Sequence, residues 1–526
     1  MKVLVSDNLG EAGIEMFRAE EGIEVDVQTG LSPEELKNII GGYDALVIRS
    51  ATKVTADLLD SAERLKVVGR AGIGLDNVDI PEATKHGVVI MNTPGGNVIT
   101  TAEHAIAMML SLSRNIPRGT STLKSGRWDK KLLQGREIYN KVLGVIGFGN
   151  IGSIVADRAR GLKMRVIVHD PNVTEEQIRK AGFENVSLDE LYQRSDYITV
   201  HVPKMKATMG LLNKDAFAKM KDGVMVINCA RGGIVDEDAL FEAIDSGKVA
   251  GAALDVFETE PPGECRLFDL DRLICTPHLG ASTKEAQTNV AVQVADQIIQ
   301  YLKDGTVINA VNAPSVTGEL LTRLGPYLTL ADRMGSLQAQ LSKGPIHSVE
   351  IIYSGDFGDI DLSPMTTALL KGMLAHAVTD DVNFINAGLL AKDRGIKVSE
   401  AQTAEADHFV NLITTRVEAS DSAHTVSGTI YGKSDPRIVK INNFGLELIP
   451  EGHLALIYNL DKPGAIGSIG TTLGKHHINI ARMQVGQDED GVSNIMFLRT
   501  DTPIPEDVVH EICDLPMVST VTPLEF

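Results

Sequence analysis

Residues 141–152 read KVLGVIGFGNIG, and IGSIVADRA follows from 151. An apolar run ends in Gly147-Phe-Gly149-Asn-Ile-Gly152, a G-x-G-x-x-G loop that opens an apolar helix. Strand, glycine loop and helix in that order build a phosphate cradle. Glycines permit a tight turn and a close approach of backbone N–H groups to a pyrophosphate, and the helix N-terminus adds partial positive charge. The next apolar run, RVIVHD (165–170), closes on Asp170, 18 residues after Gly152. A carboxylate there accepts hydrogen bonds from an adenosine ribose and repels a 2′-phosphate, so the pattern favours NAD over NADP. His169 beside it, if protonated, would tolerate some NADP.

Outward from this loop, apolar runs alternate with helical segments. KVLGVIG (141–147), RVIVHD, YITVHVP (197–203), VMVINCA (224–230), AGAALDVF (250–257) and LICTPH (273–278) read as strands of a central parallel sheet. Upstream, KVLVSD (2–7), IEVDV (23–27), ALVIR (45–49), KVVGR (66–70) and VVIMN (88–92) repeat the pattern, with SPEELKNII (32–40) as a helix capped by Ser32 and opened by Pro33. Two doubly wound α/β units are therefore expected, joined by the apolar helix TAEHAIAMMLSL (101–112). A further amphipathic helix covers 283–303, and VINAVNAPSVT (307–317) reads as a boundary. Residues 318–446 mix helices with strands at 348–355 and 425–432. The last ~75 residues give a β-α-β-β-α-β order, a ferredoxin-like module.

The 526 residues suit about three to four domains. With 50 Lys+Arg against 70 Asp+Glu the formal charge is −20, which gives no electrostatic reason to bind nucleic acid or an anionic membrane surface. Aromatics are 4%, with Trp128 the one tryptophan, which argues against a base-stacking platform. Cys229, Cys265, Cys275 and Cys513 show no CxxC spacing, so free thiols in a reducing compartment are expected rather than disulfides or a metal site. The opening MKVLVSDNLG lacks a signal-peptide pattern and no run of about 20 apolar residues occurs, so a soluble cytoplasmic protein is expected.

Three segments fall at the C-terminal ends of expected strands, where open α/β sheets carry their sites: NCARGGIVDEDAL (228–240), ALDVFETEPP (253–262) and TPHLGAST (276–283). Arg231, between glycines, offers a guanidinium fork to the carboxylate and carbonyl oxygen of a 2-oxo acid. Its plain alternative is a surface arginine that caps the preceding strand or pairs with Asp236. Glu260 precedes Pro261-Pro262 in a stiff loop, and His278 follows Pro277. A His–carboxylate pair orients the imidazole and favours its charged form, so it can exchange a proton with a substrate oxygen. His104, His201 and His169 lack such company and read as ordinary histidines.

These motifs, with GRAGIGLDNVD (69–79), closely resemble those of the D-2-hydroxyacid dehydrogenases, and the resemblance runs from residue 1 to 526. Within that family the chain is most similar to the long-form branch that oxidises 3-phospho-D-glycerate to 3-phosphohydroxypyruvate with NAD at the entry to serine synthesis. The resemblance implies a Rossmann cofactor domain (99–283) inserted in a flavodoxin-like substrate domain (1–98 and 284–315). It also implies an α+β intervening allosteric substrate-binding domain (316–447) and an ACT domain (452–526). It carries the catalytic roles onto Arg231, Glu260 and His278. Cofactor contacts fall on Ile73, Gly147, Gly149, Asn150, Ile151, Gly152, Asp170, Val202, Cys229, Ala230, Arg231, His278 and Gly280, with Asp255 near the nicotinamide amide. Substrate contacts fall on Arg49, Ser50, Arg70, Gly72 and Asn97. The alternative for Arg49 and Arg70 is pairing with acids such as Asp44 or Asp76. Lys130 or Lys131 would reach the phosphate from a neighbouring subunit of a homo-oligomer, a dimer or tetramer.

In the tail, Asp461-Lys-Pro-Gly464 reads as a turn before a helix. By resemblance, Asn459, Asp461 and Asn479 are candidate contacts for L-serine as effector, Asp461 for its ammonium group and the asparagines for its carboxylate or hydroxyl. The bland alternative is a tail that only dimerises. Lys433, Arg437 and Lys440 suggest either an anion site or a solvated edge. Two rival readings of the chain stand: another 2-hydroxyacid dehydrogenase, such as a glyoxylate or hydroxypyruvate reductase, and a non-catalytic NAD(H)-sensing protein.

Overall fold

The computed structural model describes residues 1–314, 318–358, 360–377, 382–406, 408–487 and 493–526. The expected boundary at 315–316 lies outside them. Four sheets order the chain. The first holds β1 (Lys2–Val5), β2 (Glu24–Val27), β3 (Ala45–Ile48), β4 (Val67–Arg70) and β5 (Val89–Asn92), all parallel in the order 2-1-3-4-5. This is the flavodoxin-like order, whose switch point lies between β1 and β3. Ser32 caps its helix as expected: its hydroxyl accepts from Glu35 N–H, and the Glu35 carboxylate accepts from Ser32 N–H at 2.8 Å.

The chain returns to this sheet from far along the sequence. In the helix Lys284–Asp304, Val290, Ala291, Val294 and Ile298 pack on Val3, Val5, Val47 and Val67. Each such fully buried aliphatic side chain stabilises by about 1.5–3 kcal/mol. The contact is close enough that a Cβ on Gly69 would lie 2.5 Å from Ile298 Cδ1.

The second sheet holds β6 (Val142–Ile146), β7 (Arg165–His169), β8 (Glu184–Asn185), β9 (Tyr197–Val200), β10 (Val224–Asn228), β11 (Val249–Leu254) and β12 (Leu273–Cys275), parallel in the order 12-11-10-9-6-7-8. That is the doubly wound Rossmann order with its switch point between β6 and β9. All six expected strands end early. Asp170, Arg231, Asp255 and His278 stand in the loops beyond them. The apolar runs overshoot because the loops after these strands are themselves partly buried. The exposed two-residue β8 has no apolar signal to find. The joining helix runs Val98–Ser113, and a second one, Ile116–Lys124, follows it unforeseen.

The third sheet holds β13 (Ile346–Gly355), β14 (Lys397–Thr403), β15 (Asn411–Ala419), β16 (Ala423–Tyr431), β17 (Asp435–Ile441) and β18 (Phe444–Leu448) in the order 14-13-15-16-17-18. Its helices are Gly318–Leu341, Ser363–Leu374 and Ala387–Asp393. Of these six strands, two (β13 and β16) were expected from the chain's pattern, at 348–355 and 425–432. β14 is exposed at every position, so it carries no alternation.

The tail folds as expected into β19 (His453–Leu460), β20 (Ile480–Gln487), β21 (Ser493–Thr500) and β22 (Val518–Glu525), antiparallel in the order 20-21-19-22. Ala455, Ile457, Met496 and Leu498 face its two helices. Leu454, Leu456, Phe497 and Leu524 instead join the core of the third sheet. Gln340 reinforces that joint, donating to Glu525 O and accepting from Glu525 N–H, both at 2.9 Å. No helix among the described residues is long and apolar enough to cross a membrane.

Candidate active site

Loops after β10, β11 and β12 meet at one end of the second sheet. Glu260 Oε2 lies 2.7 Å from His278 Nδ1, and Glu260 Oε1 accepts from Phe257 N–H at 3.1 Å. Burial pushes the Glu260 carboxyl up, but the bonds from His278 and Phe257 outweigh it and hold the group below its ordinary value. His278 sits at φ +54, a left-handed conformation that histidine adopts more readily than most residues. Its N–H donates to Asp255 O at 2.9 Å and Thr276 O at 3.0 Å.

Asp255 braces that loop. Its carboxylate accepts from Leu279 N–H (2.7 Å), Gly280 N–H (2.8 Å) and the Thr276 hydroxyl (2.5 Å), with His104 Nε2 at 3.2 Å. Burial pushes its carboxyl up, yet these donors prevail and draw it below the ordinary range. The residue is 0% exposed. The enclosed carboxylate thus meets the protein's own donors on the loop that carries His278.

Arg231 Nε donates to Asp76 Oδ2 at 2.9 Å, and its Nη1 donates to Ala230 O at 2.7 Å. Its backbone O accepts from Asn228 Nδ2. The alternative partner Asp236 is used elsewhere, capping the helix Glu237–Asp245. Gly232 lets this loop press on its neighbour, since a Cβ there would fall 1.7 Å from Phe257 O. Asp76 belongs to the first lobe, so the Arg231 bond crosses between lobes.

Arg49 and Arg70 follow the same first-lobe edge. Asp44 does not neutralise them, because it holds Arg64 at 3.1 Å and Lys66 at 3.4 Å. Asp76 is taken by Arg231. Arg49 Nη1 donates to Asn8 O, and Arg70 Nε donates to Arg49 O. Neither guanidinium has a carboxylate within 4 Å among the described residues. Burial, then the charges of Arg231 and Arg49, draw Arg70 down to about 10 against the pull of Asp76 and Asp7. It stays protonated at neutral pH. Three cations converging on one cleft, of which only Arg231 is ion-paired, suit a substrate with two anionic groups. Ser50 is exposed, Gly72 lies under Arg70, and the buried Asn97 Oδ1 has no partner. Ile73 O accepts from Asn92 Nδ2.

The glycine loop fits a pyrophosphate. Gly147 has φ +94, and a Cβ there would lie 2.5 Å from His201 O. A Cβ on Gly152 would lie 1.9 Å from Gly147 O. Gly149 caps the helix Asn150–Gly161 with no side chain over it and open space beyond, which leaves the first-turn N–H groups of Asn150, Ile151 and Gly152 for an anion. Asp170 accepts from Phe148 N–H at 2.7 Å and Asn172 N–H at 2.8 Å, so it shapes the loop and keeps lone pairs for a ribose. His169 is turned to Val186 O. Val202 and Ala230 are half-buried, and Gly280 is enclosed beside Asp255. Cys229 is buried, which pushes its thiol up and leaves only its backbone for a ligand.

In the tail, Asn459 is 2% exposed, with Nδ2 on Leu460 O and Oδ1 unpartnered. Asn494 stands opposite it in register, with its Oδ1 also buried and unpartnered. Nothing local in the chain marks Asn494, because only strand pairing brings the two together. Asp461 is exposed, and Asn479 lies just before β20 with Nδ2 on Asp501. Lys130, Lys131, Lys433 and Lys440 are exposed, and Arg437 is committed to Asp435 and the Tyr431 ring.

Three family models match the chain: D-isomer specific 2-hydroxyacid dehydrogenase, NAD binding domain, over 106–280; D-3-phosphoglycerate dehydrogenase intervening domain over 323–442; and ACT domain over 453–516. A D-3-phosphoglycerate dehydrogenase of Bacillus subtilis is 45% identical over 99% of this chain and 98% of its own length. One of Archaeoglobus fulgidus is 43% identical over the full length of both. Among solved structures, D-lactate dehydrogenase from Aquifex aeolicus, complexed with NAD and lactic acid, matches with a TM-score of 0.54 and 30% identity, over 60% of this chain and all of that one.

Proposed function

This chain belongs to the D-3-phosphoglycerate dehydrogenase family, and from that premise we propose that it oxidises 3-phospho-D-glycerate to 3-phosphohydroxypyruvate with NAD. The reaction is the first step of the phosphorylated route to L-serine. The observation that carries the assignment is the Glu260–His278 pair at 2.7 Å, set among Arg49, Arg70 and Arg231.

Arg231 binds the substrate carboxylate and 2-oxygen through its fork, and Arg49 and Arg70 take the phosphate. With Nδ1 on Glu260, His278 keeps Nε2 for the 2-hydroxyl and removes its proton there. Glu260 stabilises the imidazolium that results. NAD, held on the glycine loop by Asn150 and Ile151 and at its ribose by Asp170, supplies the hydride acceptor. Closing the two lobes, 1–98 with 284–315 and 99–283, excludes water from the cleft.

The regulatory reading is that L-serine binds the 452–526 domain at Asn459, Asp461 and Asn479 and inhibits. Two buried acceptors without donors, on Asn459 and Asn494, suit a hydroxyl donor such as that of serine and support it. The chain self-associates, with the exposed Ile116, Leu123, Trp128, Leu132 and Tyr139 as the apolar arm of that contact. It works in the cytoplasm. The test follows NADH absorbance with 3-phosphoglycerate, NAD and a trap for the product, with and without L-serine. Turnover suppressed by serine supports both readings. Turnover indifferent to serine sinks the regulatory one. Reduction of glyoxylate or hydroxypyruvate in place of any phosphoglycerate turnover sinks the substrate assignment.

A further inference from the structure

The joining helix Val98–Ser113 grips the loop that carries His278 at three points. Thr100 Oγ1 lies 3.3 Å from Thr283 Oγ1. The Thr101 hydroxyl donates to Gly280 O at 3.1 Å. His104 Nε2 lies 3.1 Å from Thr276 Oγ1 and 3.2 Å from Asp255 Oδ1. Residues 100 and 104 share one helix face, and 101 lies three before 104, so all three contacts come from one side of the helix.

We propose that His104 is a positioning residue for the reaction: through Thr276 and Asp255 it fixes the loop that aims the His278 imidazole. The inference rests on the reading of His278 as the proton acceptor. Asp255 carries a charge in an enclosed site, and such a charge is tolerable only when donors surround it. Three of its donors belong to the loop itself: Thr276, Leu279 and Gly280. The fourth, His104, is the one that comes from a separate rigid element. It therefore ties the loop to the helix that joins the lobes. Without it the carboxylate and the loop still hold one another, and only the Thr100 and Thr101 contacts are left to restrain them against the helix. A shift of about 1 Å in a reacting group can cost on the order of 10²-fold in rate. Gly280 completes the fit, since a Cβ there would stand 3.1 Å from Asp255 Oδ2 and 3.4 Å from Thr101 Cγ2.

The test uses the full chain with His104→Ala, His104→Gln, Thr276→Val and the double variant His104→Ala/Thr276→Val. It measures kcat, KM for 3-phosphoglycerate, NADH affinity by fluorescence, and melting temperature. His104→Ala is expected to lower kcat by about tenfold or more, with KM and NADH affinity within about twofold. Glutamine, whose amide N–H can donate from a similar reach, recovers most of the loss. The two single losses are non-additive in the double variant, because both act through one bond chain. Equal damage by alanine and glutamine, a loss confined to KM or NADH affinity, or additive losses would each overturn the proposal. If His104→Ala does not fold, His104→Leu against His104→Gln makes the same comparison. An inactive wild type sinks the assigned reaction. An active wild type with unaltered His104→Ala kinetics sinks only the positioning role.

Discussion

Arg231 Nε donates to Asp76 Oδ2 at 2.9 Å, a bond between the two lobes that leaves the outer end of the guanidinium with Nη2 facing Gly74. Asp76 thus acts on the angle of the fork rather than on its charge. A Cβ on Gly74 would lie 1.7 Å from Arg231 Nη2. Gly74→Ala is expected to push the fork aside, because a long side chain yields before backbone does. Steady-state kinetics should give a fall in kcat/KM of about 10²-fold with little change in melting temperature. Asp76→Ala should act in the same direction. Unchanged kcat/KM in both would remove Arg231 from substrate binding.

Glu260→Gln keeps the shape of the His278 contact and deletes its charge. We expect kcat to fall by about 10²–10⁴-fold, with KM for the substrate little moved. Glu260 sits below its ordinary 4.5 in the fold, so its contribution is present above that pH and fades only as pH falls through the lower folded value. A pH–rate profile between pH 5 and 8 should accordingly contain no inflection from this carboxylate.

Arg49→Ala and Arg70→Ala should separate phosphorylated from plain substrates. Each charge-assisted contact is worth about 1.5–3 kcal/mol, or roughly 10–10²-fold in kcat/KM. The loss should fall on 3-phosphoglycerate and spare glycerate. Equal losses on both substrates would take the phosphate away from these two residues.

Asp255→Asn leaves N–H donors facing an amide that can only half-answer them. About 1–3 kcal/mol of stability should be lost at neutral pH, read by denaturant unfolding. The folded carboxyl lies below its ordinary 3.8, so the wild-type advantage is full above that value and shrinks as pH falls through the folded value. The gap between wild type and variant should therefore narrow on acidification toward pH 3. A gap that widens would contradict the arrangement of donors around this group.

Asp170→Ser removes both the ribose acceptor and the bond that Phe148 N–H donates. KM for NAD should rise by about tenfold, and NADP should become usable. Stopped-flow binding of both cofactors would measure the change in preference directly.

Much of this was legible in the chain itself. The strand–glycine loop–helix order around Gly147–Gly152, with Asp170 after the next strand, was legible because glycine spacing and strand–helix order are local properties. The strand-end positions of Arg231, Glu260 and His278 were legible for the same reason, each in its own loop, whereas the Glu260–His278 contact came with the fold. The exposed β14 and the two-residue β8 were not, because neither buries enough apolar surface to leave an alternating pattern. The expected strands also ran past their ends, since hydropathy marks burial and the loops after β10 and β11 are buried too.

The sequence by itself determined which groups are present: a G-x-G-x-x-G loop between strand and helix, an acid after the next strand, a histidine and a glutamate in strand-end loops, and arginines at the first lobe's strand ends. Each follows from residues a few positions apart. Only the tertiary structure decided which partner each group takes. Asp76 meets Arg231 from 155 positions away, and His104 meets Asp255 through a loop that lies far along the chain. Such pairings depend on how two lobes pack, and packing is set by the summed burial of many apolar side chains rather than by any local motif.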